Sequence, residues 1–290
     1  MSPAAAATDG RLRRRAAGPA PYTTGGMSID RVSHRVQARS RPTRTASLGA
    51  AAVPGAPRAR SRSRRDVLDA DAVDQFLSRA ARTLQRHRGL LDRLDAALGD
   101  GDHGENMAIG FNAVLASLPD GLADDLGARL RTVGHALVAS VGGASGPLYG
   151  TAFIEAGYTL GAVTRLTPGA IADALEAAVR GLSRRGRCAV GDKTILDALA
   201  PAAVAFRSSL DAGEAVETSI RRAAWAAHAG MRATTPLVAR RGLALRLGPR
   251  SRGHQDPGAT SCFLLVRAML PHPDARAGRT AVARLREREP

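Results

Sequence analysis

The sequence predicts an all-α fold, a single domain of about eight antiparallel helices. Three observations carry that prediction. From Asp66 to about Leu270 the apolar residues recur with a helical period. Alanine and leucine are abundant while aromatic residues make up only 3% of the chain, a balance that favours helix over sheet. The breaks between periodic runs are rich in Gly, Pro and Asp, the residues of turns and helix starts, and no segment reads convincingly as a strand.

Taken in order, Asp71 can cap a helix reaching about Arg88, with Val73, Phe76, Leu77, Ala80 and Leu84 on one face. A second run over 89–98 carries Leu90, Leu91, Leu94 and Leu98 and puts Asp95 on its last turn. Gly99 follows the last apolar residue, where a left-handed helix stop is wanted. Helices are then expected over about 105–118, ended by Pro119-Asp120-Gly121, and over about 122–140. The GGAS turn opens the next, about 146–160. Thr167 caps another, with Pro168 at its first position, to about Arg184. The GDKT turn opens about 194–210, and Asp211 or Gly213 precedes a helix to about Arg232. Residues 234–255 are not periodic. Asp256 caps the last helix, with Pro257 at its first position, through about Leu270. No internal repeat is visible.

The 290 residues divide into an Arg-rich extension over 1–65, a helical domain over 66–270 and a short tail over 271–290. The extension lacks any sustained period and reads as disordered. It is Ser-rich and acid-poor in the manner of a transit peptide, and Met27 is a later candidate start. The formal charge of +16 suggests nucleic acid at first sight, but 1–65 carries fourteen Arg against Asp9 and Asp30 and so supplies +12 of it. Of the 42 basic residues only Lys193 is a lysine, a one-sidedness expected of biased codon usage. Nucleic-acid binding is therefore not expected. Cys188 and Cys262 make no disulfide framework and read as reduced thiols of a cytoplasmic protein. No apolar run has membrane-spanning length and no signal-peptide pattern follows Met1, so no membrane partner is expected.

Chemistry concentrates in LDAALGDGDHGENM, residues 94–107. A chain reversal after Gly99 brings Asp95, Asp100 and Asp102 to one point, where they repel unless a cation sits among them. Hard oxygen donors without Cys suit Mg²⁺, which completes its shell with waters and phosphate oxygens. The same Asp-Gly-Asp turn also reads as a solvated loop with an Asp cap. GGASG (142–146) can let a backbone approach an anion, with Ser145 adding a hydroxyl ahead of a helix start, or can be a plain connection. GDKT (191–194) holds the one lysine, which is either functional or a solvated neighbour of a helix cap. No GxxxxGK[ST] run occurs, so Walker-type nucleotide chemistry is unsupported.

LDAALGDGDHGENM, GGASGPLYG (142–150), GDKTILDAL (191–199) and GHQDPGATS (253–261) together resemble the L subunit of dihydroxyacetone kinase, the ADP-binding DhaL family, in that family's order across about residues 68–270. The resemblance implies an eight-helix barrel with ADP at one end. It implies Mg²⁺, two ions, on Asp95, Asp100 and Asp102. It places the nucleotide against His103, Gly104, Asn106, Ala144, Ser145, Gly186, Ile195, Asp256, Pro257 and Gly258, and names no catalytic base. Ile195 stands where the family usually has Met. ADP (ATP in sibling enzymes) would act as a cofactor, taking phosphate from a phosphotransferase-system M subunit and passing it to dihydroxyacetone on a K subunit. A homodimer is compatible with this picture.

One stretch departs from the family. Where the family reads approximately GRASYLGERSIGH, this chain has GLALRLGPRSRGH over 242–254, with Leu243 in place of a nucleotide-contacting Arg. Losing that guanidinium removes a charge-assisted contact worth roughly 1.5–3 kcal/mol. Two alternatives follow: an L subunit for another short ketose or polyol, and a degenerate module with a binding or regulatory role.

Overall fold

The computed structural model describes residues 67–118 and 125–271. The expectations for 1–65, for the Pro119-Asp120-Gly121 turn and for the tail beyond 271 lie outside the described residues. Among the described residues eight α-helices follow one another: α1 (Ala70–Ala96), α2 (His103–Ala116), α3 (Leu126–Ser140), α4 (Ser145–Leu160), α5 (Pro168–Gly186), α6 (Leu196–Asp211), α7 (Val216–Ala233) and α8 (Pro257–Ala268). A 3-10 helix, Leu243–Ser251, occupies the non-periodic stretch before α8. No strand occurs among the described residues; one antiparallel bridge joins Leu68 to Leu166. No helix among them is long and apolar enough to cross a membrane.

The two runs expected on either side of Gly89 form one helix. α1 is continuous over 27 residues and is capped by Asp69, whose carboxylate accepts from the Ala72 N–H at 3.0 Å, and not by Asp71. A glycine inside a helix costs only about 1 kcal/mol. Leu77, Leu84 and Leu91 continue at seven-residue spacing through it, all fully buried, and their burial outweighs that cost. The Thr167 and Asp256 caps appear as expected, accepting from Ala170 N–H at 3.2 Å and Ala259 N–H at 2.6 Å.

Each helix packs on the next, and α8 packs on α1 as well as α7, so the eight close into a barrel. An apolar core built from residues such as Phe111, Leu137, Leu182 and Phe206 runs around it. Inside lies a cavity of about 600 Å³ whose lining includes Val73, Phe76, Tyr149, Ile195 and Leu265.

The α3–α4 seam is set by glycines seven apart on each helix. A Cβ on Gly134 would lie 2.6 Å from the Gly150 carbonyl, one on Gly150 would lie 2.7 Å from the Gly134 carbonyl, and one on Gly157 would lie 2.6 Å from the Gly127 carbonyl. Backbones that touch leave no room for a side chain. Gly134→Ala should therefore destabilise the fold by about 1–3 kcal/mol. Gly169→Ala, on α5 with only Thr167 Oγ1 at 3.9 Å, should be neutral or slightly stabilising. Urea unfolding of both variants checks the pair; equal midpoints would show that the seam is not close-packed.

Candidate metal and anion site

Because the helices alternate in direction around a closed ring, the N-termini of α2, α4, α6 and α8 share one rim with the C-termini of α1, α3, α5 and α7. The residues singled out from the sequence all fall on that rim.

Asp95 stands at the end of α1, and its Oδ2 accepts from the N–H groups of Gly101 at 2.8 Å and Asp102 at 3.2 Å. Those two bonds fold the Asp-Gly-Asp loop back over the helix end. The left-handed residue that makes the reversal is Gly101, at φ 84°, and not Gly99. Gly99 is small for another reason: a Cβ there would lie 2.7 Å from Asp95 Oδ1. One oxygen from each of Asp95, Asp100 and Asp102 lies within 4.8 Å of the others, with Asp95 half-buried and the other two exposed. Burial raises the Asp95 carboxyl above its usual range, and its neighbour Asp100 adds to the rise. Three hard oxygen donors this close, one of them held ionisable by backbone N–H groups, fit a divalent cation of the Mg²⁺ type.

His103 opens α2 and is 7% exposed. Its Nδ1 meets Ser145 Oγ at 3.1 Å on α4, and its Nε2 meets Ser261 Oγ at 2.8 Å inside α8. Burial lowers its pKa to about 4 despite the charges of Asp92 and Asp100, so the ring is neutral at pH 7. Gly104 is where α2 crosses α1: a Cβ would lie 2.1 Å from the Arg88 carbonyl. Asn106 faces the GGAS turn, its Oδ1 3.0 Å from where a Gly142 Cβ would stand. In that turn Gly143 takes φ 62° with nothing near its open face, and Ala144 precedes the first helical residue, Ser145, without a side-chain cap. The first N–H groups of α4 are thus free of side-chain partners, as an anion site requires.

The remaining residues come from α5, α6 and α8. Gly186 ends α5 within 3.3 Å (Cβ position) of Leu148 on the first turn of α4. Ile195 is buried just before α6, its N 3.6 Å from a Cβ placed on Gly258. Asp256 caps α8, and Pro257 and Gly258 form its first turn. Burial pushes the Asp256 carboxyl up to about 7 against the opposing pull of the Ala259 N–H and Lys193. All the sequence-singled residues are therefore gathered on one rim.

Lys193 is not the solvated neighbour of a helix cap. It is 2% exposed, in a left-handed conformation at φ 64°. Its Nζ donates to the carbonyls of Thr234, at 2.7 Å, and His254, closing both ends of the 234–256 segment onto the GDKT turn. Thr234 Oγ1 in turn accepts from the Asp256 N–H at 3.0 Å. Burial lowers the Lys193 pKa, opposed by the charges of Asp256 and Asp197.

Asp197 escaped sequence reasoning. It accepts from Gly191 N–H at 2.6 Å and Thr194 N–H at 2.7 Å, so it shapes the GDKT turn. The signal was present: Thr194 followed three residues later by an acid is a capping-box spacing. Ser261 and Tyr149, joined at 2.7 Å behind His103, carried no such signal because they meet only in the folded barrel. Leu243 begins the 3-10 helix and is 44% exposed; shortly before it in the chain, the Arg240 N–H donates to the Asp192 carbonyl of the GDKT turn at 3.1 Å.

Comparison with known proteins points the same way. The family described as DAK2 domain matches residues 97–271. The chain is 36% identical over 197 residues to the ADP-binding subunit DhaL of the PEP-dependent dihydroxyacetone kinase of Escherichia coli, across 68% of this chain and 94% of that one. It is 34% identical over 206 residues to the ADP-binding subunit DhaL of PEP-dependent dihydroxyacetone kinase 2 of Listeria innocua, across 70% and 95%. The dihydroxyacetone kinase of C. freundii in its native form matches the fold with a TM-score of 0.54 and 25% identity, over 80% of this chain and 38% of that one.

Two buried titratable groups of the rim, Asp256 and His103, have opposite signs. Asp256, raised from 3.8 to about 7, contributes stability that is full below pH 3.8 and lost as pH rises through about 7. His103, lowered from 6.5 to about 4, contributes stability that is full above pH 6.5 and lost as pH falls through about 4. Between these limits they offset one another. Asp256→Asn, which keeps a capping oxygen, should make stability rise with pH across that window, and His103→Gln should make it fall. Urea midpoints at a series of pH values test this; parallel profiles for the two variants would contradict it.

Proposed function

The chain belongs to the DAK2-domain family, and on that premise we propose that it is the ADP- and Mg²⁺-binding L subunit of a dihydroxyacetone kinase. The observation that carries this reading is the convergence of three carboxylates within 4.8 Å of one another on the rim that also holds the start of α4, which has no side-chain cap. Cation ligands on one rim with an uncapped helix start are what a metal-chelated diphosphate needs. The residues over 66–270 form the nucleotide-binding domain in this reading, with 1–65 and 271–290 as extensions.

Asp95, Asp100 and Asp102 would hold the metal, which when bound neutralises phosphate charge. A Mg²⁺ that also takes phosphate oxygens and waters ordinarily uses one or two carboxylates, so three carboxylates support a pair of ions. The GGAS turn, with Gly143 open and Ser145 at the helix start, receives phosphate oxygens. Gly186, Ile195 and Gly258 would border the nucleoside, where Ile195 offers an apolar face and the two glycines leave room. His103 and Asn106 set the start of α2 against the GGAS turn, Gly104 lets α2 cross closely over α1, and Asp256 with Pro257 fixes the start of α8. The protein's work is positioning and charge neutralisation; no side chain of the rim is assigned as a base. ADP would serve as a resident cofactor relaying a phosphoryl group to dihydroxyacetone on a separate K subunit, with a phosphotransferase-system M subunit as donor, in the cytoplasm.

If this is right, Asp100→Asn and Asp102→Asn each abolish Mg·ADP binding in calorimetry while the helical circular dichroism signal is kept. Unchanged affinity in both would remove the metal assignment.

A second reading, a degenerate module, rests on Leu243, which presents an exposed apolar side chain where the family has an Arg. A working subunit binds ADP in the wild type, supports dihydroxyacetone turnover with K and M partners, and gains about 1.5–3 kcal/mol of ADP affinity from Leu243→Arg. A decayed module binds no ADP at millimolar concentration until that Arg is restored.

A further inference from the structure

Among the described residues, five α-helices start behind an Asp or a Thr. At four of them, Asp69, Asp125, Thr167 and Asp256, the side chain accepts from the N–H three residues on, at Ala72, Ala128, Ala170 and Ala259. Each of these four has an extended backbone, which lets its oxygen turn back over the helix start. Asp102 is the exception. It precedes α2 with φ −113° and ψ 1°, and its carboxylate makes no cap bond.

The N–H that Asp102 would take is that of Glu105, three residues on, and it already has a partner. It donates at 3.0 Å to Asp92 Oδ1, which comes from α1. Gly104 makes the approach possible, because a Cβ there would lie 2.8 Å from the same oxygen. The reciprocal bond is replaced as well. Asp102 and Glu105 have the spacing of a capping box, in which the glutamate would return to the Asp102 N–H. Instead Glu105 Oε2 pairs with Arg88 Nη2 at 3.0 Å, and the Asp102 N–H donates to Asp95 Oδ2 at 3.2 Å. Arg88 Nε also lies 3.8 Å from Asp92 Oδ2. Two residues of α1 thus hold the start of α2, and the Asp102 carboxylate has no helix to cap. One of its oxygens lies within 4.8 Å of oxygens of Asp95 and Asp100.

We propose that Asp92 is a positioning residue for the metal: by capping α2 from α1 it frees the Asp102 carboxylate to face the cation. The inference rests on the Mg·ADP reading above. An Asp in front of a helix has two uses for its oxygens, and the cap competes with the metal for them. A cap supplied from another helix removes that competition. Arg88 supports the arrangement by holding Glu105 away from the box.

Calorimetry with Mg·ADP, and urea unfolding without metal or nucleotide, test this on the full chain. Without Asp92, Asp102 should turn back over the start of α2. Asp92→Ala should therefore weaken Mg·ADP binding about fivefold, the weight of one helix cap, while its metal-free urea midpoint falls little. Asp92→Asn, which keeps the accepting oxygen, should bind like wild type. Asp102→Ala alone should leave the metal-free midpoint nearly unchanged. Asp92→Ala combined with Asp102→Ala should lower it by more than the two single changes summed, because no cap remains. Unchanged affinity in Asp92→Ala, or additive midpoints in the double variant, overturns the proposal and leaves the functional reading standing. So does an Asp92→Asn variant as weak as Asp92→Ala, which assigns the effect to charge, or loss of the helical signal in Asp92→Ala, which makes Asp92 a cap that Asp102 cannot replace. A wild type that binds no Mg·ADP overturns both.

Discussion

Alternation is the constraint on which the molecule depends. An even number of helices, each reversing direction and the last packing on the first, must place every second amino end on one rim. Four amino ends and four carboxyl ends therefore share that rim, the amino end of α4 carries no side-chain cap, and a loop of carboxylates lies on the same rim. Neither group is unusual alone. Helix amino ends attract anions and clustered carboxylates attract cations, and the ring forces both attractions into one place. A metal-chelated phosphate satisfies the two at once, which is why the rim as a whole is more selective than any of its turns.

The rim is held by polar groups taken out of water. Lys193 is the clearest case: an ammonium that gives up its hydration is worth burying only because two carbonyls and the nearby Asp256 and Asp197 replace it. The reward is a fixed 234–256 segment, which otherwise has no helical period to order it. The same logic governs Asp95, whose bonds to Gly101 and Asp102 set the metal loop before any cation arrives. Pre-organisation of this kind shifts ordering costs from binding to folding.

The legible part of the sequence was local. Thr167-Pro168 and Asp256-Pro257 carry their helix starts in two residues, and both starts are where they were expected. The eight-helix class followed from periodicity, and the rim residues from four motifs at turns. What failed was local evidence with a competing long-range term. Gly89 looked like a break, but Leu77, Leu84 and Leu91 hold α1 together across it. Nothing local showed that Gly104 also lies against the backbone of α1. Lys193 could be read as solvated because nothing near it in sequence shows that Thr234 and His254 enclose it. The α3–α4 glycine seam was invisible for the same reason: a seven-residue spacing on one helix means little until the partner carries its complement.

The barrel's closure also determines where its chain ends go. α1 starts and α8 ends on the side of the barrel opposite the site: Arg79 Nε, in the third turn of α1, donates to the Ala268 carbonyl at 2.9 Å, and Leu68 pairs with Leu166 in the α4–α5 link. A ring whose ends adjoin has no topological need to be cut there. Joining the end of α8 to the start of α1 and reopening the chain in the α4–α5 link would yield a permuted molecule with the same helix order around the ring, and every segment that builds the metal and anion site would remain continuous.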